Sequence, residues 1–90
     1  MASLPFQIGP TPNPNSIRVG LSQPMFPSAV TFRSASDAGE QPIAKDLLSI
    51  PGVVQVFMLN NFISINKDPG VDWAKIEPRV AEILVKHLHE

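Results

Sequence analysis

The sequence predicts an α+β fold, in which two helices pack on one face of a small, mostly antiparallel sheet of about four to five strands. Three observations predict it. Several short segments alternate apolar and polar residues, as half-buried strands do. Two longer segments repeat apolar residues at helical spacing. Ten prolines and five glycines separate these segments, so turns are expected between short elements. The ninety residues are expected to form a single domain.

The first half of the chain predicts three strands that are joined by proline-rich connections. Residues 6–8, 17–21 and 30–33 each alternate apolar and polar side chains. Prolines at positions 10, 12 and 14 fix φ and favour extended neighbours, which predicts a stiff loop after the first strand. Pro24 and Pro27 are expected to break the chain before the third strand. Residues 34–40 are small and polar, so they predict a loop.

The first helix is predicted to begin at Pro42, because proline has no N–H to leave unpaired in the first turn. Ile43, Leu47 and Ile50 follow at the spacing of one helix face. Pro51-Gly52 follows the last residue of this pattern and is expected to end the helix, with Gly52 as a structural residue.

A β-hairpin is predicted next, with strands at residues 53–59 and 62–67 on either side of Asn60 and Asn61. A two-residue turn needs positive φ, which asparagine tolerates. This turn would place apolar residues opposite each other on one face and more polar ones on the other, and a slip by one residue would mix the faces. The predicted opposing pairs are Val56 with Ile65, Met58 with Ile63, and Gln55 with Asn66.

The last helix is predicted to begin after Asp72, whose carboxylate would accept a free backbone N–H of the first turn. Its apolar stripe predicts the face that contacts the core. Pro78 would remove one helical hydrogen bond, so a kink or a split first turn is expected. The stripe consists of Trp73, Ile76, Val80, Ile83, Leu84 and Leu88.

Composition excludes several classes of function. The formal charge of −1 gives no basic field for nucleic acid, and no apolar run is long enough to span a membrane. Without cysteine there is no disulfide, thiolate nucleophile or thiolate metal site. The first residues lack the pattern of a signal or transit peptide. We therefore expect a cytoplasmic monomer that binds neither nucleic acid nor membrane.

Few residues suggest chemistry. His87 and His89 diverge on a helix and lie near the C-terminus, which predicts a solvated, frayed end and no metal site or catalytic triad. The candidate partner-binding residues are Asn13 and Asn15 in the stiff loop, together with Lys67 at the end of the hairpin. The alternatives are that the asparagines bond their own backbone in turns and that the lysine is solvated at a sheet edge.

Trp73 allows two interpretations. Its place on the apolar stripe favours a residue of the core or of the core edge. The alternative is an exposed anchor for a partner, because tryptophan is enriched in binding hot spots.

Several segments, in this order and spacing, resemble the N-terminal domain of Nfu-type (NifU-like) iron–sulfur scaffold proteins. The resemblance extends over residues 11–88. The matching segments are Thr11-Pro12-Asn13-Pro14-Asn15, Pro42-Ile43-Ala44-Lys45-Asp46-Leu47-Leu48, Ile50-Pro51-Gly52-Val53-Val54-Gln55-Val56-Phe57, Asn61-Phe62-Ile63-Ser64-Ile65-Asn66-Lys67 and Val71-Asp72-Trp73.

This resemblance implies a compact α+β domain beside a C-terminal domain whose Cys-x-x-Cys motif binds the cluster. These ninety residues contain no such motif, so we expect no bound cofactor. We expect no enzyme activity, because the sequence contains no reactive constellation of side chains. The resemblance implies a non-catalytic adaptor in iron–sulfur cluster assembly that does not itself ligate the cluster. Its expected protein partner is an iron–sulfur scaffold, a client protein or an adjacent domain. The alternative is a stand-alone protein-interaction module with no link to iron–sulfur metabolism.

Overall fold

Five strands and three helices are present in residues 6–39 and 41–88, which are the residues that the computed structural model describes. Every neighbouring pair of strands is antiparallel, in the order β1-β2-β5-β4-β3. The predicted α+β class is therefore confirmed. The elements are β1 Phe6–Pro10, β2 Ser16–Leu21, β3 Phe26–Phe32, α1 Ala35–Ala38, α2 Pro42–Leu48, β4 Val53–Asn60, β5 Phe62–Lys67 and α3 Trp73–Leu88.

The short helix α1 corrects the prediction of a loop over residues 34–40. The Ser34 hydroxyl accepts the N–H of Asp37 at 3.0 Å, and the Asp37 carboxylate accepts the N–H of Arg33 at 3.2 Å. These two bonds satisfy backbone donors at the start of the helix in the manner of a capping box. Glu40, at the end of the predicted loop, lies outside the described residues.

Strand β3 is longer than predicted, because it begins at Phe26 and includes Pro27. The prediction that Pro27 breaks the chain was wrong for a physical reason. β3 is an edge strand, and its register against β4 shifts between Phe26 and Val30. Proline is tolerated at such an edge irregularity because no ladder donor is needed there.

The predicted hairpin is confirmed in its register. Asn60 has a φ of 53°, the left-handed conformation that a tight turn requires. The alternation of the sequence is thus strong enough to fix which residues face the helices. The pairs observed include Val56 with Ile65, Met58 with Ile63, Phe57 with Ser64 and Gln55 with Asn66.

The core lies between one face of the sheet and the helices. The stripe of α3 supplies buried Ile76, Val80 and Leu84, while Trp73 and Ile83 pack at the edge of the core. α3 is continuous from Trp73 to Leu88 with Pro78 inside it, so the predicted split of its first turn is not observed. The buried core residues from the sheet include Ile17, Val19, Val56, Met58, Ile63 and Ile65.

The opposite face of the sheet has an aromatic pair. The rings of Phe57 and Phe62 lie 5.8 Å apart, and the Arg18 guanidinium lies 4.5 Å from the centroid of Phe62. The cation over the ring and the tilted ring pair both stabilise this face modestly.

Candidate functional site

The loop that joins β1 to β2, residues 11–15, is held by its own polar groups. The Thr11 hydroxyl lies 2.9 Å from the Asn13 carbonyl oxygen and 3.0 Å from the Ser16 carbonyl oxygen. It also accepts the Asn13 N–H at 3.1 Å. The Asn13 side-chain oxygen accepts the N–H of Asn15 at 2.9 Å. The side chain of Asn13 thus forms a turn, as in the alternative interpretation.

Lys67 is buried, with only 8% of its surface exposed, so the interpretation as a solvated edge lysine is wrong. The reason is topology, since β5 lies inside the sheet between β2 and β4. The Lys67 ammonium donates to the Asn15 side-chain oxygen at 3.2 Å and to the Asp68 carbonyl oxygen at 3.3 Å. It also lies 5.6 Å from the centroid of the Trp73 ring.

Trp73 connects this loop to the last helix. Its indole Nε1–H donates to the Pro14 carbonyl oxygen at 2.8 Å, and its ring packs against the core. The fold therefore brings together Asn15, Lys67 and Trp73. Asn15 and Lys67 are more than fifty residues apart in the sequence. The side chain of Asn13 remains within the loop.

A cleft opens between this loop and the first turns of α3, with a volume of about 240 Å³. We call it the loop–helix cleft. Its walls are largely apolar, and Asn13, Thr11 and Glu77 are polar residues at its boundary. Glu77 is exposed, and its carboxylate takes part in no hydrogen bond or ion pair with the part of the chain that the structure describes. The lining is completed by Ile8, Gly9, Pro10, Pro14, Ser16, Ile17 and Trp73.

The two other structural residues predicted from the sequence are Gly52 and Asp72. Gly52 has a φ of 101°, and a Cβ there would lie 2.8 Å from a methyl carbon of Val71, so glycine is required. Helix α3 begins directly after Asp72, whose carbonyl oxygen accepts the N–H of Lys75 at 3.1 Å. The predicted cap by the Asp72 carboxylate is not among the hydrogen bonds within residues 6–39 and 41–88.

His87 is not a solvated end, which corrects the expectation from its position. Its Nε2 lies 2.7 Å from the Asp46 carboxylate, and the Lys86 ammonium lies 3.9 Å from the same oxygen. The hydrogen bond from His87, more than the charge of Lys86, lowers the pKa of Asp46. This pair has no signal in the sequence, because it forms only when α2 and α3 pack together. His89 lies outside the described residues.

A second cleft, of about 320 Å³, opens beside Asp46 and Lys86. Arg79 and Glu82 also line it, so its two cations and two carboxylates give no preference for a charged ligand. Within the described residues no group of three or more metal-ligating side chains comes together. No helix in the same part of the chain has the length and apolarity needed to cross a bilayer.

Residues 6–90 match the model of one protein family, the scaffold protein Nfu/NifU N-terminal family. The chain belongs to this family. The resemblance seen over residues 11–88 is therefore confirmed and extends to the first strand. The Nfu N-terminal fold also accounts for the order of helices and strands, since it recurs in a solved relative. The crystal structure of protein SAV1430 from Staphylococcus aureus superposes with a TM-score of 0.80 at 25% identity, covering 90% of this chain and 99% of that one.

Curated relatives of this Nfu N-terminal domain have two kinds of name. NifU-like protein 5, mitochondrial, of Arabidopsis thaliana is 29% identical over 83% of this chain and 28% of its own length. Conserved virulence factor C of Staphylococcus haemolyticus is 28% identical over 87% of this chain and 21% of its own length. The chain spans between 21% and 31% of the lengths of the first relatives that it matches.

Proposed function

We propose that this domain is a non-catalytic binding module of iron–sulfur cluster assembly, which holds a protein partner and does not itself ligate the cluster. The observation that carries the proposal is membership of the Nfu/NifU N-terminal family in ninety residues without a cysteine. Iron–sulfur clusters are held chiefly by cysteine thiolates. A role for these residues in assembly is therefore one of contact, with a scaffold, a client protein or an adjacent domain.

The surface we assign to this contact is the β1–β2 loop with the adjoining start of α3. Prolines at positions 10, 12 and 14 and the bonds of Thr11 and Asn13 order the loop before any partner arrives. Two hydrogen bonds attach the loop to the rest of the fold, one from the Trp73 indole to the Pro14 carbonyl oxygen and one from the Lys67 ammonium to the Asn15 side-chain oxygen. A loop that is already ordered loses little conformational entropy on binding.

The test is direct binding to purified proteins. The domain is immobilised and exposed to the cysteine-containing cluster scaffolds and iron–sulfur client proteins of the same organism, each in apo and cluster-loaded form. We expect saturable binding to at least one of them, with a Kd on the order of micromolar, as for transient contacts. Unrelated acidic proteins of similar size serve as the control. If no iron–sulfur protein binds more tightly than these controls do, the proposal fails.

A stand-alone protein-interaction module without a link to iron–sulfur metabolism is the second candidate. It is favoured by the relative named Conserved virulence factor C, whose name mentions no iron or cluster. The same experiment separates the two candidates, because this alternative expects no preference for iron–sulfur proteins. Under both candidates we propose that the protein is a cytoplasmic monomer with a protein partner. We also propose that it has no enzyme activity and binds neither nucleic acid nor membrane.

A further inference from the structure

We infer that the loop–helix cleft receives an arginine side chain of the protein partner, with Glu77 as its counter-ion. This inference rests on the proposed function as a binding module and identifies the chemistry of its partner. It is carried by three features of the cleft, which are a carboxylate without a partner among the described residues, its size and its apolar walls.

The carboxylate of Glu77 has no partner within its own helix. An acidic residue on a helix surface can pair with a lysine or arginine three or four positions away. The four such positions around Glu77 hold Trp73, Ala74, Val80 and Ala81. Lys75 and Arg79 are two positions away, so they point to other sides of the helix. Glu77 therefore presents a single negative charge at the boundary of the cleft.

The volume of about 240 Å³ selects the kind of ligand. Sites for cofactors and drug-sized molecules usually measure about 300–1,000 Å³. This cleft is smaller, which suits one long side chain and not a free cofactor. Its walls of Pro10, Pro14, Ile17 and Trp73 would cover the methylene groups of that side chain. No lysine or arginine is among the described residues that line it.

Arginine fits these walls better than lysine does. Its guanidinium is planar and weakly hydrated, stacks on aromatic rings and binds a carboxylate with two parallel hydrogen bonds. The ammonium of Lys67 already lies against the Trp73 ring, so its charge opposes a second cation there. Binding must then depend on the carboxylate of Glu77, and this dependence gives the inference its test.

The experiment is an NMR titration of the labelled domain with a capped peptide, acetyl-Gly-Gly-Arg-Gly-Gly-amide. The matched peptide replaces arginine with citrulline, which keeps the shape and removes the charge. We expect saturable shifts of the Trp73 indole and Glu77 amide signals with the arginine peptide alone, at a Kd on the order of millimolar. A lysine peptide is expected to bind more weakly.

The variant Glu77→Gln should bind the arginine peptide about two- to fivefold more weakly, because Glu77 is exposed and an exposed ion pair contributes at most about 1 kcal/mol. Glu82→Gln is the control, since Glu82 is also exposed on α3 but does not line this cleft. Both substitutions are at exposed positions, and the dispersion of the NMR spectrum verifies folding. Equal shifts with the citrulline peptide, equal binding of the lysine peptide or undiminished binding by Glu77→Gln would each overturn the inference.

Failure of this inference is distinguishable from failure of the proposed function. If an iron–sulfur protein binds wild-type domain and Glu77→Gln equally well, the inference is wrong and the proposed function stands. If the arginine peptide binds in a Glu77-dependent way while no iron–sulfur protein binds, the cleft assignment stands and the proposed function is wrong.

Discussion

The ammonium of Lys67 and the side-chain oxygen of Asn15 are joined by a hydrogen bond of 3.2 Å that spans 52 residues of sequence. The backbone repeats this connection, because the Lys67 N–H donates to the Asn15 carbonyl oxygen at 2.8 Å. The end of β5 and the loop before β2 are thus held at one fixed separation. Both the charge and the amide are buried or half-buried, so each depends on the other for a partner.

The variant Asn15→Ala should destabilise the fold by about 1–3 kcal/mol, because it leaves a buried ammonium short of one acceptor. In a Lys67→Met background the same substitution should cost much less, since no ammonium then needs the acceptor. Urea unfolding of the four proteins gives the coupling energy, which we expect within about 0.5–3 kcal/mol. Additive effects would show that the bond contributes nothing to stability.

Replacing a fully buried tryptophan with alanine lowers the free energy of unfolding by about 3–5 kcal/mol. The variant Trp73→Ala should lower it by less, because this ring is half-buried at the edge of the core. Trp73→Phe keeps much of the packing but removes the donor to the Pro14 carbonyl oxygen. It should cost about 0.5–1.5 kcal/mol. Thermal and urea unfolding measure both. A wild-type stability for Trp73→Ala combined with lost partner binding would instead make this residue a surface anchor.

The variant Gly52→Ala should destabilise the protein through two separable causes. The φ of 101° strains any residue with a Cβ, and that Cβ would meet Val71 at 2.8 Å. Strain and overpacking each cost about 1–3 kcal/mol. In a Val71→Ala background the overpacking part should shrink, because the two methyl carbons are removed while the Cβ of residue 71 stays 3.1 Å away, and the strain should remain. Gly9→Ala is the control, because a Cβ there meets nothing within 4 Å and φ is not positive. A change at Gly9 as large as that at Gly52 would contradict this account.

The pair of Asp46 and His87 predicts a dependence of stability on pH. The pKa of Asp46 is lowered in the folded protein, chiefly by the hydrogen bond from His87. Its contribution to stability is therefore present above the ordinary aspartate pKa of about 4 and is lost as pH falls through the lower folded value.

NMR titration of Asp46 measures this directly. In His87→Gln the pKa of Asp46 should return toward its ordinary value, whereas Lys86→Gln should change it less, because the charge of Lys86 contributes less than the hydrogen bond. The effect on the free energy of unfolding should be small, since the pair is partly exposed. An unchanged Asp46 pKa in His87→Gln would contradict the assignment.

Anaerobic reconstitution with iron and sulfide should leave no cluster on these ninety residues, because no thiolate is available to hold one. The measurement is the visible absorption of the protein after desalting, with a cysteine-containing scaffold as the positive control. A stoichiometric cluster that survives desalting would contradict both this prediction and the proposed mode of action.

Periodicity determines most of what could be predicted from the sequence. The register of the hairpin followed from Val56, Met58, Ile63 and Ile65, because a shift by one residue would turn these side chains to the other face. Helix α1 was missed because four residues are too few to show a helical repeat. Its signal was nevertheless present, in a serine followed three residues later by the acidic Asp37.

The parts of the site that could not be predicted depend on contacts distant in sequence. The burial of Lys67 follows from the central place of β5, which only the strand order reveals. The contact of Asp46 with His87 requires two helices to pack together. Asn13 and Asn15 look equivalent in the sequence, yet one side chain forms a turn and the other holds a lysine.

The strand order also has a consequence for how the chain folds. Residues 16–20 of β2 pair with residues 62–66 of β5, so the first hairpin can join the sheet only after most of the chain is available. Closing a loop of so many residues lowers the conformational entropy of the chain before the stabilising contacts form, so such topologies fold slowly. We therefore expect the β4–β5 hairpin to form early and β1–β2 to dock on it late. During synthesis on the ribosome, the edge of β2 that pairs with β5 would stay exposed until β5 emerges.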